Sequence, residues 1–209
     1  MTESKPGGIG LLGKRYPLIQ KATDIVHLIL RDLVSPGDAV VDATCGNGHD
    51  SLFLASLIGE DGFLISMDIQ KEAVMATSAR MASTSVVPRF RILLASHEDL
   101  SDVVSAEDNL SGTLSAVVFN LGYLPGSDKS IITRADSTVK GLKQALELIR
   151  LGGCILVTVY TGHEGGQEEA DSVESFLSSL DAKRFSTARH QWLNQSSNPP
   201  YVLIIQRKS

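Results

Sequence analysis

Apolar residues first recur at helical spacing over residues 18–34, where Ala22, Ile25, Val26, Ile29, Leu30 and Leu33 share one stripe and Pro36-Gly37 stop it. From there, short apolar runs alternate with amphipathic ones. "DAVVDATCGNGHDS" reads as a buried strand, a glycine-rich turn and a helix ending near residue 58. Residues 62–68 and 89–96 are further strands, separated by a helix over "IQKEAVMATSARMA", and a short polar helix follows near 98–106. A fourth strand spans 114–122, and a helix over about 134–150 buries Val139, Leu142, Ala145, Leu146 and Ile149 before Gly152-Gly153 end it. The fifth strand is 154–160, and the next helix places Val173, Phe176, Leu177 and Leu180 on one side. The tail differs: residues 184–194 and 200–208 are two strands joined by Asn, Ser and Pro, an antiparallel hairpin.

Strands alternating with helices predict an α/β chain with a Rossmann-like, doubly wound, mostly parallel sheet of seven strands, closed by the antiparallel C-terminal hairpin. With 209 residues, 43% of them hydrophobic, the chain suits one domain over 1–209, led by a basic segment at 1–17. No apolar run is long enough for a membrane helix, and no targeting segment is visible. Two isolated cysteines, Cys45 and Cys154, argue against a disulfide framework or a metal site. The expected location is therefore the cytoplasm, or an organelle reached with a transit peptide since removed.

In such a sheet, ligands bind beyond the carboxyl ends of the strands. The turn after the first strand runs Asp42-Ala43-Thr44-Cys45-Gly46-Asn47-Gly48-His49-Asp50. Gly46 and Gly48 permit a sharp turn and close backbone approach to a ligand. Asp68 ends the second strand, where a carboxylate can accept both hydroxyls of a ribose. A dinucleotide site wants a third glycine and a helix N-terminus free of negative charge; here Ser51 stands in the third position and Asp50 precedes it. The acidic loop favours the cationic cofactor S-adenosylmethionine over NAD. Ser96 and His97 end the third strand where the adenine would lie, and Gln70 is within reach of the ribose or adenine.

The fourth strand ends in Asn120-Leu121-Gly122-Tyr123. A side-chain amide and a neighbouring carbonyl at that tip can accept the N–H groups of an amine and aim its lone pair at a methyl, and Tyr123 can stack on a base. This has the position of the Asn/Asp-Pro-Pro-Tyr motif of amino methyltransferases. Asn198-Pro199-Pro200-Tyr201 has its spelling but lies in the terminal hairpin turn, where it is expected only to wall the pocket with Asn194 and Gln195.

The segments "DATCGNGHD", "VFNLGYLPGSDKSI", "VYTGHEGG" and "NQSSNPPY" together resemble, in order and spacing, a family first labelled rRNA methylases and now understood as tRNA 5-aminomethyl-2-thiouridine methyltransferases. The resemblance covers about residues 15–207. It implies a class I methyltransferase, often a homodimer, that methylates the aminomethyl group of 5-aminomethyl(-2-thio)uridine at the wobble position of tRNA. On that resemblance Asp42, Cys45, Gly46, Asn47, Gly48, His49 and Asp68 hold the cofactor, with Gln70, Ser96 and His97 about its adenosine. Asn120, Leu121, Gly122 and Tyr123 frame the amine. Asp128, Lys129 and Ser130 meet the anticodon stem-loop, and Tyr160, Gly162 and His163 line the same pocket. Thr44 and Cys45 depart from the family's loop, but both are small.

The net charge of −5 argues against a broad grip on nucleic acid, not against a local one. Lys14, Arg15, Lys129 and Arg134 are the candidate phosphate contacts, their bland alternative being a solvated surface. His163, Asp128 and His49 are candidates for a general base. Rival readings are methyl transfer to rRNA or to a small-molecule amine, an NAD-dependent oxidoreductase, and a binding module without catalysis.

Overall fold

The alternation of side chains along the buried strands decides the layers. On β4 (Leu114–Leu121), Val117, Phe119 and Leu121 pack into one core while Ala116 and Val118 pack into another. On β5 (Ile149–Val159), Ile155, Val157 and Val159 part from Cys154 and Leu156 in the same way. Strands buried on both faces require helices on both sides, so the molecule has three layers. One face is covered by α1 (Ala22–Leu33), α2 (His49–Ile58) and α3 (Lys71–Ala82), the other by α4 (Leu100–Ser105), α5 (Ala135–Leu148) and α6 (Gly166–Ser178).

The computed structural model describes residues 20–84, 88–122, 124, 132–195 and 198–209. With β1 (Ala39–Asp42), β2 (Phe63–Asp68), β3 (Arg89–Leu94), β6 (Phe185–His190) and β7 (Tyr201–Arg207), the sheet order is β3-β2-β1-β4-β5-β7-β6. Neighbours from β3 to β5 are parallel; β7 runs antiparallel to β5, and β6 to β7. The chain winds outward one way from β1 and the other way from β4, so the switch point lies between them. Among the described residues, no helix is long and apolar enough to cross a membrane.

The α1 stripe is as expected: Ala22, Ile25, Val26 and Leu30 are buried, with Ile29 and Leu33 partly so. The Asp24 carboxylate accepts the backbone N–H groups of Gln20 and Lys21, at 2.8 Å each, and closes the helix N-terminus.

Two expected boundaries move. The helix expected to run to about 150 stops at Leu148, and Ile149 opens β5 opposite Leu114. Gly152-Gly153 therefore do not end a helix. They lie in β5 where its register on β4 shifts between Leu114 and Ala116, because Ile149 gains more by pairing and burial than by another helical turn. The sixth strand stops at His190, which pairs with Val202, rather than reaching 194.

A Cβ on Gly153 would sit 2.9 Å from the carbonyl oxygens of Leu114 and Arg150, both backbone atoms that cannot swing aside. Gly153→Ala is expected to destabilise the fold by about 2 kcal/mol. Urea unfolding would show it as a lower midpoint with an unchanged slope.

Candidate active site

The carboxyl ends of β1, β2, β4 and β5 open into one cavity of about 940 Å³. Its lining includes Thr44, Cys45, Gly46, Asn47 and His49 after β1, and Asp68, Ile69 and Gln70 after β2. Asn120, Leu121 and Gly122 come from β4, and Tyr160, Thr161, Gly162 and His163 follow β5. The first turns of α1 add Lys21, Thr23, Asp24 and His27. Three carboxylates (Asp24, Asp50, Asp68) face one ammonium (Lys21) among the described lining residues, a balance that suits a cationic ligand.

The loop after β1 is held from three sides. Gly46 donates its N–H to Asp68 Oδ2 at 3.0 Å, and Thr77 Oγ1 donates to the Gly46 carbonyl at 3.1 Å. Arg80 Nε donates to the Asn47 carbonyl at 2.7 Å. Gly48, at φ +74°, caps α2, and a Cβ there would lie 2.8 Å from the Thr77 backbone, so only glycine fits.

Asp68 accepts a second N–H from Gln70 at 2.9 Å. Two backbone donors use only part of a carboxylate's acceptor capacity, so ribose hydroxyls can still be received. Asp42, expected to touch the cofactor, does not line the cavity. It is fully buried behind the loop, where Ser51 Oγ donates to it at 2.6 Å, and burial together with the nearby Asp50 raises its carboxyl to about 7. Its effect on a ligand runs through the loop that it supports. Burial and Asp42 push the Cys45 thiol up to about 12, which leaves it an inert wall.

Asn120 belongs to the same side of β4 as Ala116 and Val118 and so faces α1 and α2. Its backbone N–H donates to Thr44 Oγ1 at 2.6 Å, and its side-chain Nδ2 donates to Asp50 Oδ2 at 2.8 Å. His27 Nε2 donates to the other oxygen, Asp50 Oδ1, at 2.7 Å, while its ring stacks on Phe53 at 3.8 Å. Burial opposes the Asp50 charge, yet the hydrogen bonds from His27 and Asn120 hold its carboxyl below the usual value. In the sequence Asp50 stands out only as a charge in the loop and His27 not at all, because the residues meet across separations of 23 and 70 positions. The one available signal was a lone histidine at the polar edge of the α1 stripe.

Gly122 is pinned at both backbone groups: its N–H donates to Thr133 Oγ1 at 2.8 Å and its carbonyl accepts from Thr133 N at 2.9 Å. Thr133 Oγ1 in turn donates to Glu169 Oε2 at 2.7 Å, and Thr138 Oγ1 donates to Glu169 Oε1 at 2.6 Å. Glu169 is buried and was not foreseen as part of the site. His163 Nδ1 donates to the Glu164 carbonyl at 3.0 Å, so Nε2 is the unprotonated nitrogen of its neutral ring. Burial, with Asp50 nearby, raises the Tyr160 phenol.

Ser96 and His97 line the cavity beside Gln70. His97 is nevertheless nearly buried, edge-on to Phe119 at a centroid distance of 5.9 Å, and burial lowers it to about 4. Ile69, also missed, is half exposed next to Asp68 and offers an apolar surface for a base. Asn198 and Pro200 do line the cavity, whereas Asn194 and Gln195 are not among its walls. Tyr201 turns the other way: its hydroxyl donates to Glu174 Oε1 at 2.5 Å, and the Arg189 guanidinium lies 4.1 Å over its ring. The Asn-Pro-Pro-Tyr spelling thus contributes walls, and its tyrosine is locked to α6. Lys14, Arg15, Tyr123, Asp128, Lys129 and Ser130 lie outside the described residues.

Removing Glu169 leaves the buried Thr138 hydroxyl and the partly buried Thr133 hydroxyl without their acceptor. Glu169→Ala should cost about 2 kcal/mol in chemical denaturation, and nuclear magnetic resonance should show the change concentrated at Gly122 and Thr133 rather than in the Gly46–Gly48 loop. His97 also sets a pH window. Between pH 6.5 and about 4 the unfolded chain takes up a proton here that the folded chain refuses, so stability falls as pH drops through that window. His97→Gln should reduce the loss by roughly 3 kcal/mol, measured as the difference between unfolding free energies at pH 7 and pH 4.

The rRNA methylase family model matches residues 64–206. A tRNA (mnm(5)s(2)U34)-methyltransferase, chloroplastic, from Arabidopsis thaliana is 35% identical over 198 residues, 91% of this chain and 71% of the relative. The crystal structure of a protein described as an rRNA methylase from Clostridium thermocellum superposes with a TM-score of 0.84 at 37% identity, covering 90% of this chain and 98% of the other. A Streptococcus mutans protein described as a methyltransferase, solved in complex with SAH, gives 0.79 at 28% identity over 90% and 99%. The seven-stranded sheet is thus the Rossmann-like fold of class I methyltransferases, as the alternation of strands and helices predicted. A family match spanning the sheet from β2 to β7, with a relative alike over nine-tenths of the sequence, leads to one conclusion: this chain belongs to the rRNA methylase family.

Proposed function

We propose that the protein is an S-adenosylmethionine-dependent methyltransferase that N-methylates the aminomethyl group of 5-aminomethyl(-2-thio)uridine at the wobble position of tRNA. The observation that carries the reading is the Asn120 amide. Its Nδ2 is committed to Asp50, which leaves Oδ1 as the remaining acceptor of a residue lining the cavity. An amine that donates an N–H to that oxygen has its lone pair turned elsewhere, toward a methyl donor.

S-adenosylmethionine, when bound, supplies an electrophilic methyl on a sulfonium. The residues present fit such a ligand. Asp68 retains acceptor capacity for ribose hydroxyls, Ile69 gives a base an apolar face, and the carboxylates of the lining balance a cation. A pyrophosphate fits less well, since the ionised Asp50 stands at the start of α2 where a dinucleotide needs a free helix N-terminus.

Alignment is most of what this displacement asks of protein. The harder requirement is a neutral amine, because an alkylammonium has no lone pair. Desolvation in the half-buried pocket opposes the ammonium while the lining carboxylates favour it, so a base has to take the proton. Of the base candidates, His49 is turned toward Arg80 at 3.3 Å, whereas the His163 ring lies beside Gly122, next to the tip of β4 that carries Asn120. His163 is therefore the group we assign to take the proton. The name of the Arabidopsis relative supports the wobble uridine of tRNA as acceptor. Lys21 at the cavity and Arg134 at the head of α5 are the described cations placed to meet phosphates.

The test combines purified protein, labelled S-adenosylmethionine and tRNA from cells that accumulate the unmethylated aminomethyl uridine, read by nucleoside mass spectrometry. Gain of one methyl on that nucleoside alone is the expected result. No gain, with cofactor binding confirmed separately, returns the acceptor to rRNA or a small amine. Asn120→Ala should keep cofactor affinity and lower turnover by about 10- to 100-fold, the loss of one buried hydrogen bond. Turnover within a few-fold of the parent would remove Asn120 from the role of amine acceptor.

A further inference from the structure

A side-chain amide is nearly the same shape after a half-turn, so packing alone does not decide whether Asn120 shows the cavity an acceptor or a donor. A group that can only accept, placed at one end of the amide, decides it. Asp50 is such a group. We propose that Asp50, held by His27, is a positioning residue that sets the polarity of the Asn120 amide, so that the cavity receives its carbonyl oxygen and selects a hydrogen-bond-donating nucleophile. The inference rests on the amine reading above and names the residues that enforce it.

The geometry is specific. Both oxygens of Asp50 are engaged, one by His27 Nε2 at 2.7 Å and one by Asn120 Nδ2 at 2.8 Å. Rotating the Asn120 amide would replace a charge-assisted hydrogen bond by a contact between two acceptors. The carboxylate itself has little freedom, because the His27 ring is clamped by a near-parallel stack on Phe53, at 3.8 Å and 12°. The Asn120 backbone is fixed separately by Thr44, so the side chain turns only about its own bonds. The three residues come from α1, α2 and β4, and each lines the cavity. A purely structural tie between these elements would have no need to border the ligand space. It would also be indifferent to which end of the amide faces the carboxylate.

The experiment uses the full-length protein and three variants: Asp50→Asn, His27→Gln, and the double exchange of Asp50→Asn with Asn120→Asp. In the double exchange the amide now sits at position 50 and donates, while the carboxylate at position 120 accepts through whichever oxygen meets the cavity. Thermal unfolding and calorimetric cofactor binding establish that each variant is folded. Methyl transfer to tRNA carrying the aminomethyl uridine gives kcat and KM. Asp50→Asn should lower kcat at least about tenfold with cofactor affinity within a few-fold, and His27→Gln should lower it less. The double exchange should recover most of that loss. Parental kcat in Asp50→Asn, or a double exchange no better than Asp50→Asn alone, overturns the proposal.

A second measurement does not depend on the substrate. The Asn120 side-chain amide signal, identified by its absence from the Asn120→Asp spectrum, should exchange slowly with water in the parent and at least about tenfold faster in Asp50→Asn. Unchanged exchange overturns the proposal even if the parent protein is active. A parent protein inactive on this tRNA removes the amine reading instead, and the exchange measurement then decides the role of Asp50 by itself.

Discussion

Where two parallel strands diverge, the ladder between them ends and the next backbone N–H must find another partner. At the split between β1 and β4, Ala43 N donates the last bond, to the Val118 carbonyl at 2.9 Å. The next N–H on the β4 side belongs to Asn120, and the Thr44 hydroxyl accepts it at 2.6 Å. That side-chain rung carries the register of the sheet one step past its end. It holds the loop after β1 against the tip of β4, and both segments line the cavity. A glycine at position 44 would leave this N–H without its acceptor.

The other segments around the cavity are fixed by the same logic, with side chains meeting backbone groups that have run out of regular structure. Asp68 holds Gly46 and Gln70, Arg80 holds Asn47, and Thr133 holds both backbone groups of Gly122 with Glu169 behind it. None of these bonds is a large stabiliser alone, since a typical hydrogen bond contributes about 1 kcal/mol net. Their value is geometric. A methyl transfer relies on alignment, and alignment requires loops that arrive already shaped.

The polar side chains of the site also divide by depth. Asp42, Ser51 and Ser66 form a fully buried line beneath the loop, with Ser66 Oγ donating to Ser51 Oγ at 2.9 Å and Ser51 donating to Asp42. Asp50, Asn120 and Asp68 stand one layer nearer the ligand space. The deep carboxyl is driven toward its neutral form by burial, and the shallower Asp50 is kept ionised by its donors. At Asp50, charge therefore sits where a cationic ligand would meet it, and at Asp42 it is suppressed where it would only cost stability.

By itself the sequence determined the doubly wound sheet, the loop carrying Gly46 and Gly48, the acid at the end of β2 and the asparagine at the end of β4. Those features repeat at short range, where a period of two or 3.6 and a turn's need for glycine leave few alternatives. It also put Asn120 at the tip of β4 and Asn198-Pro199-Pro200-Tyr201 in the terminal hairpin, since position along the strand order outranked spelling. Only the tertiary structure decided that Asp42 lies behind the loop, that His97 is a core side chain as much as a ligand wall, and that Ile149 belongs to β5. Only it could bring His27, Asp50 and Asn120 into one line. Those outcomes turn on contacts between residues dozens of positions apart, and on how deep each side chain sits, quantities that local spacing does not encode.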